Sequence, residues 1–232
     1  MSWVDEAKKL TGETAAEYVK SGQVVGLGSG STAVHFIRRL GERMTSGELK
    51  DIKTVPTSHQ AAQDAIAAGI KVTSLDEYPT IDITVDGADQ IDPELNLIKG
   101  GGAALLREKI IAHATEYYIV IADERKITDV LGSGRSLPIE VLPFAYTPVI
   151  RRIEELGGEP VLRSGSGKLG PVVTDNGNFV VDADFGAIRD LKGLDFALKN
   201  IPGVLETGLF LGYADLAIVG YEGGVRKIDK SM

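Results

Sequence analysis

Val24-Val25-Gly26-Leu27-Gly28-Ser29-Gly30-Ser31-Thr32 is the stretch that decides the fold. A short apolar strand runs into alternating glycines, and two hydroxyl residues then open the helical pattern of residues 31–46. Such a strand–turn–helix begins a βαβ unit, and its backbone N–H groups and helix dipole favour an anion. The same texture repeats on both sides. Residues 3–20 read as an amphipathic helix, 52–55 as a strand, 58–68 as an Ala-rich helix and 81–85 as a strand closed by Asp86-Gly87. A helix over 103–114 and a strand over 117–122 follow. Strands separated by helices of about 10–15 residues predict a parallel sheet.

Near residue 130 the pattern changes, punctuated by Gly132, Gly134 and Pro138. A strand (137–142), a helix (146–156), a strand (159–163), a hairpin over 172–181 around Asp175-Asn176-Gly177 and a helix (187–199) come next. This β-α-β-β-α order predicts a small α+β domain. Strands at 214–219 and 224–228 are expected to rejoin the first sheet. The expected class is α/β, a mainly parallel sheet with a second, smaller α+β domain. The larger domain takes residues 1–129 and 206–232, the smaller 130–205.

Composition narrows the function. The 232 residues hold 33 acidic and 25 basic side chains, net −8, which disfavours a general nucleic-acid surface. Cysteine is absent, so disulfides, thiolate catalysis and Cys-ligated zinc are excluded. Asp5, Glu6, Lys8 and Lys9 stand where a signal peptide needs an apolar core, and no apolar run reaches the ~18 residues of a membrane span. A cytoplasmic protein is expected. Three Met, four Asn and four Gln, few for this length, lean towards a thermophilic source.

The glycine loop suits one phosphate rather than a dinucleotide. Its spacing is G-x-G-x-G, and the second strand ends in Pro56-Thr57-Ser58-His59 where a dinucleotide site needs a carboxylate. Walker A fails as well, because Gly167-Lys168 is followed by Leu169. Gly28, Ser29, Gly30, Ser31 and Thr32 are therefore candidate phosphate ligands, with Thr57 and Ser58 as a second hydroxyl cluster. The bland alternative is a tight turn with Ser31 as helix N-cap.

A charged constellation follows. Asp86-Gly87-Ala88-Asp89 ends the third strand, where open α/β sheets build their sites. Lys99-Gly100-Gly101-Gly102 leads into a helix whose only charges before His113 are Arg107, Glu108 and Lys109. Three consecutive residues sweep about 200° of helix, so all three cannot face water. Glu108 has Ala104, Leu105, Ile111 and Ala112 as helical neighbours. Alone, an Asp-x-x-Asp is a common turn and a helical Glu is a solvated residue. Together, two aspartates, a lysine, three glycines and an inward glutamate suit proton abstraction beside a carbonyl, with a cation or backbone donors holding the enediolate oxygen. Lys126, after the 117–122 strand, is a second candidate cation. His35, His59 and His113 show no metal-ligand spacing.

These motifs, with Val172-Val173-Thr174-Asp175-Asn176-Gly177-Asn178 and Ile201-Pro202-Gly203-Val204, resemble the signatures of the A-type ribose-5-phosphate isomerases, in order and over almost the whole chain. The resemblance implies a Rossmann-like large domain and a small ferredoxin-like domain, assembled as a homodimer or homotetramer. It implies interconversion of ribose 5-phosphate and ribulose 5-phosphate through a cis-enediol, without metal or other cofactor, in the pentose phosphate pathway. Glu108 matches the catalytic base. Asp86, Asp89 and Lys99 match the residues for ring opening and for hydroxyl or oxyanion handling. Ser29, Gly30, Ser31, Thr32 and Lys126 match substrate contacts, and Gly87, Ala88, Gly100, Gly101 and Gly102 line the same motifs.

Two departures stand out. Gln90 occupies a place usually held by Glu, removing a charge beside Asp89, and the Gly165–Gly170 stretch is longer than usual and expected on the surface. Two other classes share the glycine loop. A CoA transferase would use a glutamate as thioester carrier, but the paired aspartates and Lys99 fit sugar hydroxyls better. A sugar-phosphate-sensing repressor needs a helix-turn-helix, and only some 20 residues precede the first strand.

Overall fold

A computed structural model of the chain describes residues 2–165, 167 and 169–230. In chain order the elements are α1 (Trp3–Ala16), β1 (Val24–Leu27), α2 (Ala33–Thr45), β2 (Lys53–Pro56), α3 (His59–Ala67), β3 (Ile81–Gly87), β4 (Gln90–Ile91), β5 (Leu97–Ile98), α4 (Leu105–His113) and β6 (Thr115–Asp123). Then come β7 (Leu137–Val141), α5 (Tyr146–Glu155), β8 (Glu159–Leu162), β9 (Phe179–Asp184), α6 (Leu191–Lys199), β10 (Val204–Thr207), β11 (Leu209–Phe210), β12 (Leu216–Tyr221) and β13 (Gly224–Asp229). The described residues form two compact units, those within 1–88, 107–127 and 213–232 in the first and those within 89–106 and 128–212 in the second.

The first unit is a six-stranded sheet in the order β13-β12-β6-β3-β1-β2, parallel except for the last hairpin strand, β13. One face carries Val25, Leu27, Ile83, Val85, Ile119 and Ile121, which pack with Phe36, Ile37 and Leu40 of α2 and Ala15 and Ala16 of α1. Burial of this apolar surface is the main stabilising term. From β1 the chain moves outward to β2, then returns past β1 to β3 on its other side. That reversal is a topological switch point, where crevices open outside the strands' carboxyl ends. The glycine loop follows β1, and Asp86 lies at the end of β3.

The second unit holds a four-stranded antiparallel sheet, β10-β7-β9-β8, joined in the order β-α-β-β-α-β. This is the ferredoxin-like arrangement. Its core gathers Leu137, Ile139, Val141, Val149, Ile153, Val181 and Leu198. A separate three-stranded sheet, β11-β5-β4, completes the unit.

Several expectations shift. Residues 89–106, assigned by sequence to the large domain, fall in the second unit because β5 pairs with β4 on one side and β11 on the other and Lys99 N–H donates to Gly208 O at 2.9 Å. Residues 206–212 fall there too, through the same strand β11, and the boundary near 129 falls at 127/128. The 172–181 hairpin is reduced in its first arm to a bridge between Val173 and Phe179, since the side chains of the turn bond inward instead of continuing a ladder. Of the Gly165–Gly170 stretch, Ser166 and Lys168 lie outside the described residues.

Candidate functional site

In the first unit the glycines create room on one face of the sheet. A Cβ at Gly26 would come 2.0 Å from Thr84 Oγ1 and 3.0 Å from Ile111 of α4. A Cβ at Gly28 would come 2.3 Å from Asp86 Oδ1 and 2.4 Å from Asp86 Cα. The absent side chains let the glycine loop close onto Asp86. Gly28 N–H donates to Val85 O at 2.9 Å and Ser29 N–H to Asp86 Oδ1 at 3.1 Å. Gly30, at φ +102, turns the chain into α2 in the left-handed region open to glycine.

Asp86 is fully buried. Gly87 N–H donates to its Oδ1 at 2.7 Å and the Tyr118 hydroxyl to its Oδ2 at 3.2 Å. Thr84 pairs with Tyr118 in the parallel register of β3 and β6, and Asp86 lies two residues further on the same face. Burial pushes the Tyr118 phenol well above its ordinary pKa, and the nearby Asp86 and Glu108 carboxylates push it further. Glu108, in the first turn of α4, is 6% exposed, and Lys109 is buried beside it. Ile110, an isoleucine, takes the exposed position instead. The helix keeps two of its three consecutive charges inside, Glu108 as the sequence expected and Lys109 as well.

The hydroxyl cluster is tightly knit. Ser29 Oγ lies 2.7 Å from Thr57 Oγ1 and 2.6 Å from Ser58 Oγ. Thr57 also donates to Leu27 O, and Ser58 caps α3 by accepting from Ala61 N–H. Ser31 is not the N-cap of α2: Thr32 holds that position without a side-chain cap bond, and the Ser31 hydroxyl accepts from Lys8 Nζ at 3.0 Å. Lys8 thus brings a cation to the loop from α1. Lys126 lies in a short 3₁₀ turn after β6, partly exposed.

In the second unit, Gln90 stands opposite Ile98 in the antiparallel pair β4–β5. That register sets Asp89 and Lys99 opposite each other just beyond the ladder, where Asp89 N–H donates to Ile98 O at 2.8 Å. Lys99 is buried, its ammonium 5.4 Å from the centre of the Phe210 ring. Its charge is stabilised by the ring face. A Cβ at Gly101 would come 2.8 Å from Asp89 Oδ1, so glycine lets Gly101 N–H reach Asp89 Oδ2 at 2.7 Å. Arg163, paired with Asp182, donates to the carbonyls of Gly100 and Gly101 and holds the glycine run in place. Ala103, at φ +61, occupies a conformation that costs a non-glycine residue on the order of 1 kcal/mol. Among the described residues, no group of three or more His, Asp or Glu side chains is arranged to hold a metal ion.

Comparison with known proteins settles the family. The model of ribose 5-phosphate isomerase A (phosphoriboisomerase A) matches residues 53–224. The chain belongs to the ribose 5-phosphate isomerase A family. It is 53% identical to the ribose-5-phosphate isomerase A of Trichodesmium erythraeum over 213 residues, 92% of this chain and 90% of that one. It is 46% identical to that of Pyrococcus horikoshii over 227 residues, 98% and 99% of the two chains. A solved D-ribose-5-phosphate isomerase in complex with phospho-erythronic acid superposes with a TM-score of 0.96, at 46% identity over 99% of this chain and 100% of that one. The isomerase of Methanocaldococcus jannaschii gives 0.92 at 43% identity, covering 97% and 98%.

Within this family member, four residues escaped the sequence reading: Lys8, Tyr118, Arg135 and Arg163. Lys8 lies one residue past the buried Ala7 in an amphipathic helix, a pattern shared with any surface lysine. Tyr118 reads as one more apolar strand residue. Arg135 and Arg163 act from loop and strand end on residues 46 and 62–63 positions away, beyond any local signal.

Proposed function

We propose that the chain interconverts D-ribose 5-phosphate and D-ribulose 5-phosphate, with Glu108 as the base that moves a proton between C1 and C2. The observation that carries this is the Glu108 carboxylate, kept from water near the Tyr118 phenol that donates to Asp86, in a member of this family. In the open-chain aldose, Glu108 takes the C2 proton. The freed electron pair forms the C1–C2 double bond, and the carbonyl oxygen at C1 takes the negative charge and then a proton. Return of the proton from Glu108 to C1, with loss of the O2 proton, gives the ketose. Lys99 is suited to the oxygen charge, since a buried ammonium stabilises an enediolate more than solvent does. Asp86 and Asp89 serve ring opening and proton traffic at the hydroxyls.

For the phosphate, the N–H groups and hydroxyls of Ser29, Gly30, Ser31 and Thr32 are the proposed cradle, with Thr57 and Ser58 behind them and Lys8 and Lys126 supplying charge. Lys8 already meets the Ser31 hydroxyl, which supports that part of the reading. The chain is proposed to act in the cytoplasm; among the described residues no helix is long and apolar enough to cross a membrane. A homodimer or homotetramer formed through the smaller domain is also proposed, supported by the exposed Phe144 and Phe196 of the second unit.

Incubation with ribose 5-phosphate in D₂O tests the reading. Ketose carrying deuterium at C1 is expected, and Glu108→Gln is expected to keep sugar-phosphate affinity while losing turnover by about 10²–10⁴-fold. Near-unaltered turnover of that variant rejects Glu108 as base. Activity surviving exhaustive EDTA is also expected, and metal-restorable loss refutes the metal-free mechanism.

A further inference from the structure

Asp89 is gripped at both carboxylate oxygens. Arg135 Nη2 donates to Oδ1 at 2.6 Å, and Gly101 N–H donates to Oδ2 at 2.7 Å. Donors on opposite oxygens fix the plane of a carboxylate as well as its place. Arg135 is 40% exposed, and a lone exposed arginine gives little orientation because its rotamer freedom competes with the pairing. Here the loop that carries it is itself anchored, and Gln90 is the anchor.

The Gln90 amide bonds that loop twice. Nε2 donates to Ser133 O at 2.9 Å, and Oε1 accepts from Gly132 N–H at 2.8 Å. Arg135 N–H closes the turn onto Gly132 O at 3.2 Å, and Ile188 N–H donates to Leu131 O at 2.8 Å just before it. Gly132 sits at φ +85, and a Cβ there would come 2.2 Å from Gly186 O, so the turn has one path. An amide can accept from an N–H and donate to a carbonyl at once; a carboxylate can only accept. A glutamate at position 90 would keep the Gly132 bond but set a charged oxygen against the Ser133 carbonyl. The glutamine is thus matched to a loop that delivers an arginine to Asp89.

We propose that Arg135, held through Gln90, is a positioning residue that sets the Asp89 carboxylate for the isomerisation. This rests on the role given to Asp89 above. Steady-state kinetics with ribose 5-phosphate on the unaltered chain, Arg135→Gln, Arg135→Lys, Gln90→Glu, Asp89→Ala and the Asp89→Ala/Arg135→Gln double variant test it. Misplacing a reacting group by about 1 Å costs up to ~10²-fold. Arg135→Gln is therefore expected to lower kcat by about 10–100-fold with KM changed less than about 3-fold, the mark of an interaction used in the transition state. Arg135→Lys recovers part of the loss, and Gln90→Glu lowers kcat in the same direction. In the Asp89→Ala background, Arg135→Gln adds nothing, because the arginine acts only through that carboxylate.

An equal loss from Arg135→Gln in both backgrounds overturns the inference, as does an unaltered kcat in the single variant. Should Arg135→Gln not fold, Arg135→Lys and Gln90→Glu, each measured with and without Asp89→Ala, decide by the same non-additivity. Absence of isomerisation in the unaltered chain overturns the functional reading itself and shows before any variant is compared.

Discussion

Adding one methyl group at Gly28 probes the closest backbone approach in the first unit. The new Cβ in Gly28→Ala would stand 2.4 Å from Asp86 Cα and 2.6 Å from Asp86 Cγ, whereas ordinary contact begins near 3.4 Å. The obstacle includes backbone of a central strand, so a rotamer change cannot relieve it. The glycine loop must retreat by about the 1 Å difference between 3.4 and 2.4 Å. That retreat breaks the Ser29 N–H bond to Asp86, now 3.1 Å, and loosens the Ser29 hydroxyl contacts to Thr57 and Ser58. Overpacking of this kind costs about 1–3 kcal/mol, and a 1 Å displacement of a binding group costs up to about 10²-fold in kcat/KM. Urea unfolding and steady-state kinetics on the purified variant measure the two effects. A Gly28→Ala protein with stability within about 0.5 kcal/mol of the parent and kcat/KM within about 3-fold refutes the claim that this glycine closes the loop onto Asp86.

Tyr118→Phe removes a donor from a buried carboxylate and is expected to cost about 1–3 kcal/mol, a fall in Tm of about 2–4 °C per kcal/mol by calorimetry; an unchanged Tm contradicts the bond to Asp86. Glu140, fully buried, takes Thr174, Asn176 and Asn178 donors on Oε1 while its Oε2 has no partner. Glu140→Ala is therefore expected to lose about 3 kcal/mol or more by urea unfolding, since three donors lose their acceptor at about 1–3 kcal/mol for each one left buried, and Glu140→Gln distinctly less, because its carbonyl can keep all three donors; equal losses refute this. Burial pushes the Asp123 carboxyl up, but the Arg125 hydrogen bonds and charge outweigh it and hold the pKa below its ordinary 3.8. A lowered folded pKa contributes stability that is present above the unfolded value and lost as pH falls through the folded one. The Tm gap between the parent and Arg125→Gln should accordingly be full above about pH 5 and close on acidification; a gap that widens towards acid contradicts the pairing.

The sequence by itself determined the local pieces. The strand, glycine loop and helix at 24–45, the β3 aspartate and the inward glutamate of α4 were legible because periodicity and glycine placement act over one or two turns of chain. Family membership was legible for the same reason, carried by contiguous motifs. The two-residue strands β4, β5 and β11 were not, since two residues have no period; their pairing moved Asp89 and Lys99 into the second unit. Tertiary structure alone decided that β1 lies between β2 and β3, making a switch point at the glycine loop. It alone brought the Tyr118 hydroxyl to Asp86 across 32 residues, Lys8 to Ser31 across 23 and Arg135 to Asp89 across 46. Those bonds form only after the loops between the partners are closed, an entropic cost met by burial of the whole core rather than by anything adjacent in the chain.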